Sequence, residues 1–330
     1  AGSSLSARAD SGPLTPVTFE KVHLHDRFWA PWQQRQKSVT IPVALKNTGP
    51  AVENLRRTAH FLAGVPDKMP IEPPFLSSDL YKVMESAAYS LRVAPDPALE
   101  FRLDSLADVI AAAQQPDGYL YEFHICGVPN VSQMGSRPYS HLGASHELYN
   151  MGHLYEAAVA YYRATGKDKL LKVAEKSARH INRVFFEGDP AYNDDKPVNL
   201  PPGHQEIELA LCQLFEVTSD SLYLQMARRF LDLRGVALAE DPDYGLIQAQ
   251  QHMPLRQQRE PAGHAVRACY MYTGMADVDA IYGTDEYGEA LDAIWNNMVS
   301  TRMAITGGLG AMRSFEGFGP QYVLPNKEAY

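Results

Sequence analysis

The chain of 330 residues is 45% hydrophobic and 21% charged, which excludes a disordered or collagen-like chain and suffices for a large core. Its net charge is −9, from 30 basic and 39 acidic residues without a basic run, which argues against nucleic-acid and anionic-membrane partners. The three cysteines are far apart in the sequence and form no CxxC pair. We therefore expect neither a disulfide framework nor a cysteine-rich metal site within the chain.

The first residues lack both an initial methionine and an apolar leader segment. We interpret residues 1–20, which begin AGSSLSARADSGPLTP, as an N-terminal extension before the folded domain. No apolar run approaches the roughly 18 residues of a membrane span. We expect a soluble protein, which is either cytoplasmic or, after removal of a leader, periplasmic or secreted.

Helical periodicity dominates the rest of the chain. From Asp79 to Leu91 the apolar residues are spaced by three and four, which places them on one helix face. The same spacing follows Ser145, an expected N-cap, and continues to Thr165. Short turns that follow aromatic-rich helices predict antiparallel helix pairs. These turns are residues 94–97, 164–167, 217–220 and 282–285.

Histidines recur where the first helix of a pair is expected to begin. His146 and His204 are separated by 58 residues, and His204 and His264 by 60. Helix pairs that repeat at one interval are typical of a closed or stacked helical array. A ring of six pairs at this interval needs about 360 residues. We therefore expect an incomplete ring, whose last inner helix lies beyond Tyr330.

If alternate helices line such a ring, their starts meet at one mouth, where the three histidines join Asp79 in a polar pocket. The partial positive charge of a helix N-terminus opposes protonation of a histidine. Neutral imidazoles can both donate and accept hydrogen bonds, as sugar hydroxyls require. The alternative for each histidine is that it only caps a helix or fills space, but the repeated placement favours the pocket.

Two pairs of side chains could be considered as metal ligands. His146 and His153 are separated by about 10.5 Å along a helix, too far for one ion. His204 and Glu208 could both reach one ion, but acidic residues also stabilise the first turn of a helix. We interpret Glu206 and Glu208 as structural and predict no metal site within this chain.

Residues 305–319 are too rich in glycine for a helix and too apolar for a solvated tail. We expect an ordered loop over the mouth, with its one acidic residue, Glu316, between Phe315 and Phe318. Apolar surroundings favour the neutral form of a carboxyl group, as a general acid near neutrality requires. The loop lacks a Walker lysine and the dinucleotide spacing, so it predicts no phosphate site. The turn at residues 114–119 is interpreted as structural.

Seven segments, in family order over nearly the whole chain, resemble glycoside hydrolase family 127, the beta-L-arabinofuranosidase-like enzymes. They are RFWAP at 27–31, SDLYK at 78–82, AQQPDGYL at 113–120, HELYNMGH at 146–153, GHQEIELAL at 203–211, GHAVR at 263–267, and TGGLG at 306–310 with LPN at 324–326. The resemblance implies an all-α (α/α)6 barrel over residues 21–330, without the β-sandwich domains that normally follow it.

The same resemblance implies an exo-acting retaining glycosidase that removes a terminal L-arabinofuranose-like sugar from a plant-type glycan or glycoside. Glu316 matches the general acid/base of the family, and His146, His204 and His264 match histidines that contact the sugar. The nucleophile of the family is a cysteine thiolate held by zinc. A zinc cofactor is therefore expected, with ligands that would lie beyond Tyr330.

Two other functions stay open from the sequence. A polysaccharide lyase or sugar epimerase on a helical toroid would use tyrosine and histidine as base, with a cation such as Arg267 against a uronate. A non-catalytic fragment would bind sugar through the histidines and aromatic residues and hydrolyse nothing.

Overall fold

The structure is a computed structural model that describes residues 17–129, 132–236 and 245–327. Within these residues the chain forms helices and loops, and its β structure is confined to the isolated bridges of Gly317 with Met312 and His264. The all-α class predicted from the sequence is therefore confirmed. Residues 1–16 of the predicted N-terminal extension and the terminal Tyr330 lie outside the described residues.

Fifteen α-helices are assigned in the described residues. They are α1 Trp29–Arg35, α2 Ile41–Asn47, α3 Gly49–Leu62, α4 Leu76–Val93, α5 Pro97–Ala112, α6 Glu122–Ile125, α7 Leu142–Ser145, α8 Glu147–Thr165, α9 Lys169–Asn182, α10 Pro190–Asn193, α11 Ile207–Thr218, α12 Ser221–Leu233, α13 Gly245–Gln248, α14 Ala265–Tyr282 and α15 Gly288–Thr301. Short 3-10 turns occur at Phe19–Lys21, Ser132–Met134, Leu255–Gln257 and Arg313–Phe315, and π-helical turns at Gln36–Thr40 and Arg183–Glu187.

The long helices form two layers of an (α/α)6-type barrel. Helices α4, α8, α11 and α14 pack side by side in this order, and each continues through a short turn into α5, α9, α12 or α15. Helix α8 is buried from Glu147 to Tyr161, as expected of an inner helix, whereas α9 has one buried and one exposed face. The inner layer therefore brings the starts of α4, α8, α11 and α14 to one end of the barrel.

The turns between paired helices follow from local sequence. Asp96 caps α5 by accepting hydrogen bonds from the backbone N–H groups of the first turn, and Asp220 caps α12 in the same way. Gly166 and Gly283 end α8 and α14 in the left-handed conformation that glycine adopts without strain. Each of the four predicted turns connects two consecutive helices that pack against each other.

One predicted boundary is wrong by a residue. Ser145, the expected N-cap of α8, ends the short helix α7, and His146 is the N-cap instead. The Ser145 hydroxyl donates a hydrogen bond to Glu147 rather than capping the helix. None of the helices among the described residues is long and apolar enough to cross a lipid bilayer.

Candidate active site

A pocket of about 540 Å³ opens at the end of the barrel where the inner helices begin. This volume lies within the range of about 300–1,000 Å³ that is usual for small-ligand sites. All five side chains that the sequence analysis placed in a site line it together. They are Asp79, His146, His204, His264 and Glu316. The remaining wall includes Phe75, Lys82, Tyr149, Gln248, Arg267, Arg313 and Phe315.

Glycine residues let the backbone bring two of the histidines to the pocket. A Cβ atom on Gly203, just before His204, would lie 1.7 Å from the carbonyl oxygen of Leu142. Gly263, just before His264, has a φ of +68°, and a Cβ there would lie 2.0 Å from the carbonyl oxygen of Ile247. The Gly-His pairs at 203 and 263 are therefore positions of close backbone approach, which only glycine permits.

The three histidines form a row of neighbouring rings. The ring centroids of His146 and His204 are 5.7 Å apart, and those of His204 and His264 are 5.5 Å apart. Phe75 packs beside His146 at 5.1 Å, and Tyr149 packs against His204 at 4.2 Å. The row therefore presents polar ring edges between aromatic surfaces, which suits a ligand with both hydroxyl groups and apolar ring faces.

Hydrogen bonds to the backbone fix the tautomers of these rings. Nδ1 of His146 lies 2.6 Å from the carbonyl oxygen of Ala144, and Nδ1 of His204 lies 2.7 Å from that of Gln205. Since a carbonyl oxygen only accepts, both Nδ1 atoms carry the proton and both Nε2 atoms are acceptors. His264 has the other tautomer, because its Nδ1 accepts from the Arg267 N–H at 3.4 Å.

All three histidines are neutral near pH 7. Burial lowers the pKa of His146 to about 4. Burial and the nearby Arg267 guanidinium lower the pKa of His204 well below its usual value, and the same two causes lower that of His264. The neutral state predicted from helix N-termini therefore has burial as its main cause.

Glu316 reaches the pocket because its loop is bound to the start of α14. The backbone N–H of Ala265 donates to the carbonyl oxygen of Glu316 at 2.9 Å, and that of Phe318 donates to Gly263 at 3.0 Å. Met312 and Gly317 exchange two backbone hydrogen bonds of 3.0 Å, which close the loop around Glu316. Glu316 itself has a φ of +57°, a strained conformation that such bonds must hold.

The surroundings of Glu316 differ from the predicted apolar setting. Its side chain is 50% exposed, and its Oε2 accepts a hydrogen bond from Nε2 of His264 at 2.9 Å. Phe318 is buried, but Phe315 is partly exposed at the pocket rim. The TGGLG segment at 306–310 does not line the pocket, so the expected loop over the mouth is limited to residues from Arg313 to Glu316.

Asp79 lies on the first turns of α4 and is mostly exposed at the pocket. One turn later on the same helix, Lys82 approaches Asp79 at 3.7 Å and donates a hydrogen bond to the Tyr149 hydroxyl at 2.8 Å. Neither Lys82 nor Tyr149 was predicted from the sequence to have a role in the site. The spacing in the sequence could have identified both residues. Lys82 is three residues from Asp79, and Tyr149 is three residues from His146, so each pair lies on one helix face.

Arg267 stabilises the backbone that carries the histidine row. It is 3% exposed, and its Nη1 donates to the carbonyl oxygen of Gly203 at 2.7 Å. This bond holds the turn that carries His204, so the guanidinium is engaged by the protein itself. Gln248 similarly holds the loop of Glu316, by donating to the carbonyl oxygen of Phe315 at 2.9 Å.

A second polar cluster lies inside the barrel, behind Tyr149. We call His153, Glu156 and Glu206 the inner cluster; one ligand atom from each lies within 4.8 Å of the others. Neighbouring Glu208 accepts from the backbone N–H of Glu206 at 3.1 Å and lies 3.6 Å from Arg234, contacts that support its predicted structural role. The carboxylate of Glu206 contacts neither a backbone N–H nor an arginine among the described residues, so no comparable contact supports its predicted structural role.

The three cysteines do not contribute to the pocket or to the inner cluster. Cys126 follows α6 beside Thr58, Cys212 is buried in α11, and Cys269 lies in α14 facing an apolar groove. Burial raises the pKa of all three thiols, which disfavours the thiolate form. Among the described residues, no cysteine joins a group of side chains that could hold a metal ion.

Residues 21–330 match the family model described as beta-L-arabinofuranosidase, GH127 catalytic domain. A non-reducing end beta-L-arabinofuranosidase of Bifidobacterium longum subsp. longum is 36% identical over 280 residues, which are 78% of this chain and 40% of that protein.

Two solved structures are similar to the chain over nearly its whole length. One, described as a GH127 beta-arabinofuranosidase, has a TM-score of 0.86 at 41% identity, over 96% of this chain and 48% of its own. The other, a GH127 beta-L-arabinofuranosidase from Geobacillus stearothermophilus T6, has a TM-score of 0.82 at 36% identity, over 93% of this chain and 50% of its own. The chain thus spans half or less of the length of these relatives.

Proposed function

Because the chain belongs to the family of GH127 beta-L-arabinofuranosidase catalytic domains, we propose that its pocket binds a terminal L-arabinofuranose-like sugar and that Glu316 is the general acid/base of glycoside hydrolysis. One observation carries this proposal. The carboxyl group of Glu316 is held by His264 in the same pocket as the histidine row, where a bound sugar would contact both.

The histidine row accounts for binding of the sugar. The Nε2 atoms of His146 and His204 accept hydrogen bonds from hydroxyl groups, and Phe75 and Tyr149 provide apolar contact for the faces of the ring. Asp79 adds a carboxylate acceptor at the rim, and Lys82 adds a donor. A small furanose with hydroxyls on both faces matches this arrangement, and the natural partner is then a glycan or glycoside that ends in such a sugar.

Glu316 accounts for the proton transfer. In its protonated form it gives a proton to the leaving glycosidic oxygen, and as a carboxylate it later takes one from water. The hydrogen bond from His264 occupies Oε2, so Oε1 is the atom that carries the transferred proton. Because half of the side chain is exposed, the group can exchange protons with solvent between turnovers.

The zinc-held cysteine that the family resemblance implies does not fit the described residues. Cys126, Cys212 and Cys269 lie outside the pocket and have raised thiol pKa values. We derive no step through a zinc-bound thiolate from these side chains, and the proposal covers the sugar-binding and acid/base part of the reaction.

The lyase alternative has less support from the geometry. It needs a cation against a uronate, but Arg267 is buried and bonded to the Gly203 carbonyl, and Lys82 is already paired with Asp79 and the Tyr149 hydroxyl. This leaves Arg313 as the remaining cation of the pocket wall. A lyase would also release an unsaturated product that absorbs in the near ultraviolet, which a hydrolase does not form.

The experiment compares Glu316→Gln with the unaltered protein on two substrates, 4-nitrophenyl and methyl beta-L-arabinofuranoside. Loss of a general acid slows cleavage by about 10²- to 10⁴-fold. The loss should be larger for methanol than for nitrophenol, because nitrophenolate leaves without a proton. As a matched control, Glu289→Gln neutralises an exposed carboxylate outside the pocket and should leave both rates unchanged.

Unchanged rates in Glu316→Gln would contradict the role of Glu316, and so would an equal loss of kcat/KM, which reports departure of the leaving group, on both substrates. Calorimetric binding of L-arabinose without hydrolysis of either substrate would favour the non-catalytic sugar-binding alternative. Release of an unsaturated product would favour the lyase.

A further inference from the structure

The inner cluster consists of three potential metal ligands. Two are on the inner helix α8, and the third immediately precedes the adjacent inner helix α11. His153 and Glu156 lie one turn apart on α8, and Glu206 is the N-cap of α11. Their side chains are 2%, 12% and 0% exposed, respectively. Gly152 allows the close approach, because a Cβ atom at this position would lie 2.5 Å from Cγ of Glu206. The packing of α8 against α11 thus forces these groups together.

The polar atoms of this cluster lack the partners that buried groups normally have. Apart from their approach to one another within the cluster, neither the ring nitrogens of His153 nor the carboxylate oxygens of Glu206 have a hydrogen-bond partner among the described residues. No lysine or arginine among the described residues forms an ion pair with Glu156 or Glu206. An orphaned buried carboxylate is costly, so the arrangement calls for a group that satisfies several of these atoms at once.

The distances agree with one particular type of ion. Nδ1 of His153 lies 3.3 Å from Oε1 of Glu206 and 3.6 Å from Oε2 of Glu156. Four ligands at about 2.1 Å around a tetrahedral ion are separated from one another by about 3.4 Å. A single ion can therefore reach all three side chains with little rearrangement.

We propose that the inner cluster binds one zinc ion through Nδ1 of His153 and one carboxylate oxygen each from Glu156 and Glu206, with water as the fourth ligand. Calcium and magnesium prefer oxygen ligands throughout, whereas imidazole with carboxylates suits zinc. The two carboxylates neutralise the charge of the ion. Gln213 orients Glu156 by donating to its other oxygen, Oε1, at 2.8 Å.

This site differs from the cysteine-held zinc implied by the family resemblance, since all its ligands are nitrogen and oxygen atoms of described residues. It lies directly behind the pocket, because the ring of Tyr149 packs against His153 at 4.5 Å and against His204 at 4.2 Å. A zinc ion here would link α8 to the start of α11 and so fix the backbone that carries His204. The proposal does not depend on the proposed sugar hydrolysis.

The first test measures zinc in the 330-residue protein after incubation with zinc chloride and dialysis. We expect one zinc per chain, and zinc affinity weakened by at least about tenfold in His153→Gln and in Glu206→Gln. His180→Gln is the matched control, because His180 is also a buried histidine without hydrogen-bond partners but lies outside the inner cluster. It should retain the zinc. Circular dichroism verifies that each variant is folded.

The second test needs no variant, so it decides the matter if the substitutions prevent folding. X-ray absorption of the zinc-loaded protein should show only nitrogen and oxygen neighbours at about 2.0–2.1 Å, without sulfur at about 2.3 Å. Sulfur neighbours, failure of the unaltered protein to retain zinc, or equal zinc retention by the folded inner-cluster variants would each overturn the proposal.

Discussion

Nε2 of His264 donates a hydrogen bond of 2.9 Å to Oε2 of Glu316, although 52 residues separate the two in the chain. The same two segments are joined by the backbone bond from Ala265 to Glu316. The start of α14 therefore determines both the position of the acidic residue and the orientation of its carboxyl group.

His264→Phe removes the donor to Glu316 but keeps an aromatic ring of similar size. A hydrogen bond to a charged group contributes about 1.5–3 kcal/mol, so we expect kcat to fall by about 10- to 100-fold with a smaller change in KM. His264→Gln, whose amide can donate from a similar position, should recover part of kcat. Steady-state kinetics on methyl beta-L-arabinofuranoside would measure both. Equal kcat values for the Phe and Gln variants would show that the donor has no role.

His204→Phe removes an acceptor for a sugar hydroxyl while preserving the packing against Tyr149. Loss of one neutral hydrogen bond costs about 0.5–1.5 kcal/mol, so the affinity for L-arabinose should fall by about 3- to 10-fold. Isothermal titration calorimetry measures this change. His124→Phe, a substitution of a histidine that contacts Met134 outside the pocket, should bind as the unaltered protein does. A matching loss in His124→Phe would mean that both act through general destabilisation.

Gly203→Ala places a methyl group 1.7 Å from the carbonyl oxygen of Leu142, an overlap that only a backbone shift can relieve. We expect the free energy of unfolding to fall by about 2–4 kcal/mol, because overpacked and strained positions cost this much. Gly49→Ala is the control, since a Cβ atom there meets nothing within 4 Å at the start of α3. It should change stability by less than about 1 kcal/mol. Urea unfolding compares the two, and similar values would refute the proposed overlap.

His180 makes stability depend on acidity. Burial lowers the pKa of His180 from 6.5 to about 4. Below pH 6.5 this histidine therefore binds a proton in the unfolded chain but not in the native protein. The contribution of neutral His180 to the free energy of unfolding is complete above pH 6.5 and is lost as the pH falls towards 4. Between pH 7 and 4.5 we expect a loss of about 2 kcal/mol that His180→Gln does not show.

The comparison with His180→Gln is needed because other groups act in the opposite direction. Burial raises the pKa of Glu147 to about 7, so its contribution is complete below pH 4.5 and is lost as the pH rises through 7. Urea unfolding of both proteins at several pH values isolates the histidine. Parallel stability profiles for the two proteins would rule out the predicted role of His180.

The helix pairs and their turns could be predicted from the sequence, because they depend on neighbours in the chain. Apolar spacing of three and four defines one face of a helix whatever surrounds it, and Asp96 or Gly166 acts on the backbone within a few residues. The repeat of histidines at the expected helix starts could also be read from the sequence. It led to a pocket because successive inner helices start at the same end of the barrel.

Only the tertiary structure decided what surrounds each polar group. Phe315 and Phe318 flank Glu316 in the chain, but its carboxyl group meets solvent and His264, because the loop folds back on α14. Likewise, His153 and Glu206 come together through the packing of α8 on α11, 53 positions apart in the sequence. Hydrogen bonds and charges act over a few ångströms in space, so their partners depend on helix packing rather than on spacing along the chain.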